Sequence, residues 1–97
     1  MLVVAGTIDV EPAQRQAFLE GRRDAVQASR GEPGCIEYAF SADLLDPGRV
    51  RIFERWESAE HLDAHLARAD GGAASDVPIL AAELLRYEIG GVGPLMG

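Results

Sequence analysis

Glu54, Trp56, His61 and His65 carry most of the chemical potential of this chain, and they lie close together in sequence. Glu54 falls in the segment Arg49–Trp56, where alternation places Val50, Ile52, Glu54 and Trp56 on one side of a strand. A carboxylate on an apolar face is costly unless it is paired or functional. Glu54 therefore reads in three ways: a base of raised pKa in a dry pocket, one end of a salt bridge to an arginine, or a face assignment off by one. His61 and His65 form an H-x-x-x-H pair one helical turn apart, a spacing that can chelate zinc. Such a site needs a third ligand, which nothing in the sequence fixes, so no metal is expected. At about 100° per residue, His65 lies roughly 60° from Leu62, at the edge of the helix's apolar stripe. It either borders a pocket between helix and sheet or is a satisfied boundary histidine, whereas His61 is expected toward solvent.

Three further side chains have two readings each. Trp56 can floor an aromatic site or be ordinary core. Tyr38 can donate a hydrogen bond to a ligand carbonyl or sit at the sheet edge. Cys35 carries no sign of activation and is expected to act as a small hydrophobe. His65, Glu54, Trp56 and Tyr38 are thus the catalytic candidates, with Gly6, Ile52, Leu62 and Leu66 as candidate substrate contacts. No phosphate-cradling glycine loop, no G-x-S-x-G and no supported cysteine nucleophile occurs, which leaves nucleotide cofactors and acyl-enzyme chemistry without support.

These residues must be held by elements that the rest of the chain predicts. Leu2 to Val10 is a β-rich, mostly apolar run, expected as a central strand; Gly6 within it marks a close approach of another group or a packing gap under a helix. Glu11-Pro12 opens a helix through Phe18, Leu19, Ala25 and Val26 to about Ser29, with Gly31 at its end. Arg15, Arg22, Arg23, Glu20 and Asp24 read as its solvated side. Pro33-Gly34 turns into a strand from Cys35 to about Ala42, with Ile36, Tyr38 and Phe40 on one face. Asp46-Pro47-Gly48 is a strong turn signal, and Arg49–Trp56 follows as the partner strand. Ser58 is a good N-cap for a helix carrying Leu62, Leu66 and Ala69, which Asp70-Gly71-Gly72 ends. Ser75-Asp76 predicts a short helix around Pro78 to Ala82, and Leu84 to Ile89 a last strand. Residues 90–97 hold too many helix and strand breakers for regular structure and are expected as a flexible tail or arm.

The 97 residues suit a single domain with one thin core. The net charge of −7, with all nine cationic groups scattered arginines, argues against nucleic acid or an anionic membrane as partner. A single cysteine leaves no intramolecular disulfide. No run approaches the roughly 20 apolar residues of a membrane span, and the first residues lack a basic leader region, so the cytoplasm is the default expectation. Strand, helix, strand, strand, helix, strand predicts an α+β fold, a ferredoxin-like antiparallel four-stranded sheet with helices on one face. The other face, with Phe53 among Arg51, Arg55 and either Tyr38 or Ala39, is too apolar to leave wet. A homodimer packed through that open face is expected.

Val10-Glu11-Pro12, Glu32-Pro33-Gly34-Cys35-Ile36-Glu37-Tyr38, Asp46-Pro47-Gly48-Arg49 and Glu54-Arg55-Trp56-Glu57-Ser58 leading to His65-Leu66 together resemble the antibiotic biosynthesis monooxygenase domain family. The resemblance spans most of positions 1 to 89 and implies a dimeric α+β barrel. It also implies cofactor-independent oxygenation, without metal or flavin, of a quinol, an anthrone-like compound or another phenolic polycycle. In that chemistry the deprotonated substrate itself reacts with dioxygen. By position, Trp56 and His65 would line the pocket, with Glu54 and Tyr38 nearby. The chain contains no asparagine, so Gly6 stands where some members use one, and Ser75 stands at the place of a haem-ligating histidine. Haem degradation is thereby disfavoured, and a non-catalytic small-molecule binder is the other reading.

Overall fold

The computed structural model describes residues 1–69 and 76–97. Its elements are β1 (Leu2–Asp9), a short 3-10 turn (Pro12–Gln14), α1 (Arg15–Arg30), β2 (Cys35–Ala42), β3 (Arg49–Trp56), α2 (Ala59–Ala69) and β4 (Ala81–Glu88). The strands form one antiparallel sheet in the order β2-β3-β1-β4. This is the expected ferredoxin-like α+β arrangement.

Register explains which side chains are covered. Leu2, Val4, Gly6 and Ile8 pair with Trp56, Glu54, Ile52 and Val50, so both alternating sets share the helix-covered face. Two clusters of buried side chains fill that face. Ile8, Val10, Phe18, Val50 and Ile52 form one under α1, and Leu2, Tyr38, Trp56 and Leu62 form the other near α2. On the opposite face Ala5 pairs with both Phe53 and Leu85, and Phe53, Leu85 and Tyr87 remain exposed. Ala39, not Tyr38, lies on that face, opposite Phe53.

The structure corrects four expectations. A bulge between Cys35 and Glu37 breaks the alternation of β2: Cys35 turns inward opposite Trp56, and Ile36 is left 39% exposed. The predicted helix around Pro78 to Ala82 does not form. The Leu80 amide donates to the Asp9 carbonyl and strand pairing begins at Ala81, so pairing with β1 overrides the local signal. Arg15 is no solvated charge; its guanidinium donates to the carbonyls of Asp43, Asp46 and Arg49, tying the start of α1 to the β2–β3 hairpin. Arg22 likewise faces a cavity. The predicted helix stop at Asp70-Gly71-Gly72, and Ser75, lie outside the described residues.

Ser58 caps α2 as expected, its hydroxyl accepting from the His61 amide at 3.2 Å. Gly6 is required where β1 runs close beside β4: a Cβ there would collide with the Glu83 carbonyl. Among the described residues no helix is long and apolar enough to cross a membrane.

Candidate active site

Between α1, β2 and α2 lies a cavity of about 220 Å³. Ala25, Val26 and Phe40 supply apolar lining; Ser29, Tyr38 and His65 supply polar groups. Glu32, Arg22 and Arg68 complete the charged part.

His65 stands where α2 passes over β3, one turn after the buried Leu62, and it is only 6% exposed. Its Nδ1 lies 2.8 Å from Glu32 Oε2. A carboxylate there favours the tautomer with the proton on Nδ1, which leaves Nε2 with a lone pair able to accept one. The ring packs 4.7 Å from the Trp56 ring and 5.4 Å from that of Tyr38, centroid to centroid. Glu32 also meets Arg68 at 3.5 Å. It comes from the turn between α1 and β2, and Gly34 shapes that turn. Gly34 has φ of +78°, a value suited to glycine, and a Cβ there would collide with the His61 ring. The Glu57 amide donates to the Gly34 carbonyl at 2.8 Å, fastening the same turn to the segment that enters α2.

Glu54 is 7% exposed and accepts a hydrogen bond from Trp56 Nε1 at 3.0 Å. Burial pushes its carboxyl above the ordinary glutamate range; the indole N–H and the charge of His65 oppose that shift, and Glu32 adds to it. Burial likewise raises the Tyr38 hydroxyl, helped by Glu54, while a hydrogen bond from Ser29 and the charge of Arg22 work the other way.

Of the eight residues singled out from the sequence, His65 and Tyr38 line the cavity directly. Trp56 and Glu54 stand behind His65 as a hydrogen-bonded pair. Gly6, Ile52, Leu62 and Leu66 do not line it. Gly6 lies beside β4 in the sheet, Ile52 and Leu62 are core, and Leu66 points outward with 54% exposed. His61, expected toward solvent, is instead partly buried, its Nδ1 2.7 Å from the Ser58 hydroxyl and its ring against Gly34. Among the described residues no group of three or more His, Cys, Asp or Glu could hold a metal ion. Sequence reasoning missed Glu32 and Ser29 as site residues. The only available signal for Glu32 was its place ahead of a Pro-Gly turn, which does not reveal the helix it will face.

Fold and site together define a small α+β domain whose helix layer encloses an aromatic chamber with a carboxylate-bound histidine. The chain belongs to the antibiotic biosynthesis monooxygenase family, whose sequence model matches residues 1–76. It is 36% identical over 76 residues to "Probable quinol monooxygenase YgiN" of Escherichia coli, covering 68% of this chain and 73% of that one. It is 38% identical over 64 residues to the uncharacterised protein sll1783 of Synechocystis, covering 66% of this chain but only 44% of that relative. A solved structure from Deinococcus radiodurans named for the same family matches over the full length of both chains, with a TM-score of 0.83 and 24% identity. The haem-degrader MhuD of Mycobacterium tuberculosis shares the fold, with a TM-score of 0.72 and 20% identity over 96% of this chain and 100% of that one.

Proposed function

We propose that the protein is a cofactor-independent monooxygenase acting on a quinol or related phenol. The observation that carries this reading is His65, held at Nδ1 by Glu32 with its ring among Tyr38 and Trp56. Nε2 of His65 takes the phenolic proton, and Glu32, bonded at Nδ1, fixes the ring. The phenolate then gives electrons to dioxygen. With an unsubstituted para carbon, one oxygen atom enters the ring as the second quinone oxygen, and the other leaves as water with two hydrogens from the substrate. A substrate that is already a hydroquinone instead yields the quinone and hydrogen peroxide. All electrons come from the substrate in either case. Tyr38, whose oxygen accepts from Ser29, supplies a hydrogen bond to the developing oxyanion, and Glu54 positions the Trp56 indole behind the base. The cavity is smaller than the roughly 300–1,000 Å³ usual for ligand pockets.

Oxygen uptake with naphthols and naphthoquinols tests the reading, with ¹⁸O₂ label expected in the quinone made from a naphthol and in the peroxide made from a naphthoquinol. Uptake that disappears in His65→Ala supports it. Uptake no faster than in buffer, or unchanged in His65→Ala, refutes it; binding without uptake would favour the non-catalytic alternative.

A second copy of the chain, we further propose, covers the open sheet face. Phe53, Leu85 and Tyr87 are exposed there, and Arg55 Nε is shielded from solvent yet finds no partner among the described residues. Sedimentation should give twice the chain mass, and Phe53→Arg should halve it; a monomeric wild type would end this proposal.

A further inference from the structure

We infer that Phe40 determines how large a ring system the cavity accepts: with Val26 it walls the cavity off from an open groove running along α1. The inference rests on reading this cavity as the place where the phenolic ring binds. Leu19, Arg23, Gln27 and Arg30 of α1 line the groove, and Val26 and Phe40 border it as they border the cavity. The helix itself accounts for this division. At about 100° per residue, Ala25, Ala28 and Ser29 share the sector of α1 that looks into the cavity. Leu19, Arg23 and Arg30 share the next sector, which lines the groove, and Val26 falls on the boundary. Among the described residues α2 borders the cavity, through His65 and Arg68, and not the groove. The two hollows therefore meet at the seam between α1 and β2.

On the sheet side that seam is made by Phe40. It pairs with Ile52 on β3 and packs against both buried clusters, the one under α1 and the one near α2. Its ring stacks beside that of Tyr38, with centroids 5.7 Å apart and planes 24° from parallel, so a polar residue of the site also props the wall. β2 is an edge strand, and no further strand stands beyond Phe40 to close the groove. A phenol whose hydroxyl meets His65 on the α2 side points its far end at this seam. In the native chain a further fused ring runs into Phe40 and Val26. Without the phenyl ring, cavity and groove join, and the space gained is bordered by Leu19 and Val26, an apolar gap of the kind that takes an aromatic ring.

The matched pair 2-naphthol and 2-hydroxyanthracene, which differ by one fused ring, tests this by titration of their own fluorescence, since binding needs no turnover. The native protein is expected to bind the anthracenol no more tightly than the naphthol, although the larger ligand carries more apolar surface. In Phe40→Ala the anthracenol should tighten at least about tenfold, a modest share of what burying a further ring supplies, while the naphthol changes less than about threefold. Phe40→Leu should give a smaller shift in the same direction, and it keeps the test open if the alanine variant fails to fold. Val26→Ala, on the other side of the seam, should also favour the larger ring. Leu44→Ala, at a side chain 94% exposed on the β2–β3 connection, should leave both affinities unchanged. Tighter native binding of the anthracenol by tenfold or more, equal gains for both ligands in the Phe40 variants, no gain in either variant, or no binding at all would overturn the inference. His65-dependent oxygen uptake on a naphthoquinol, with ring preference unmoved in Phe40→Leu, would leave the oxygenase reading standing and remove this one. A shifted ring preference with no uptake on any quinol would do the reverse.

Discussion

Changing Glu32 to glutamine keeps the side-chain length and an acceptor oxygen but deletes the charge. In the native chain Oε2 stands 2.8 Å from His65 Nδ1, between side chains that are 18% and 7% exposed. Hydrogen bonds to a charged partner contribute about 1.5–3 kcal/mol, and neutral ones about 0.5–1.5 kcal/mol. The expected loss of stability in Glu32→Gln is the difference, roughly 1 kcal/mol once the water still reaching Glu32 is allowed for. A double-mutant cycle with His65→Leu, followed by urea unfolding, isolates the pair. Arg68 loses its partner in the same variant, so Arg68→Gln is measured alongside; being half-exposed, that pair should contribute less than about 1 kcal/mol. Around metal-bound histidines, loss of the orienting partner changes activity about 10–100-fold, and the lower end of that range is the scale expected for a metal-free base. Turnover of Glu32→Gln should therefore fall at least about tenfold in kcat, with a smaller change in KM, because ring orientation matters most as the proton moves. Additivity of Glu32→Gln and His65→Leu within about 0.5 kcal/mol would refute the energetic link. Native kcat in Glu32→Gln would refute the orienting role even if the link were present.

Glu54→Gln should stabilise the fold at neutral pH, because the native carboxyl is raised by burial: as pH climbs above the ordinary glutamate range the unfolded chain sheds its proton first, and stability drains away until the folded group ionises too. Thermal melts of the two proteins should converge below about pH 4 and separate above it; a gap independent of pH would dismiss the burial argument. Leu62→Ala, at a side chain 1% exposed beneath α2, should cost about 2–5 kcal/mol in urea unfolding, and a loss under 1 would mean that the helix collapses onto the gap. Gly34→Ala should cost more than about 1 kcal/mol and displace the His61 ring, seen as a shifted imidazole resonance; native stability in that variant would contradict the turn geometry.

Much of the scaffold could be read from the chain because its signals are local. Alternation in Val50, Ile52, Glu54 and Trp56 put an acid beside an indole on the covered face, where the two are bonded. Helical spacing from Leu62 placed His65 at the edge of the core, and Ser58 marked the start of its helix. What could not be read depends on distant partners. The bulge at Ile36 arises from how β2 meets β3, which the alternation of β2 itself does not encode. The segment around Pro78 carries a helix-like start, yet β1 recruits it as an extended approach to β4. Glu32 lies 33 positions from His65, so its role appears only when the two connections fold against each other.

The Glu57 amide donates to the Gly34 carbonyl and the His61 ring is seated on the same glycine, so the turn that carries Glu32 is clasped to the segment that enters the helix of His65. Acid and base, 33 positions apart in the chain, thus share one local anchorage. A substitution that loosens the clasp should alter their spacing without touching either side chain.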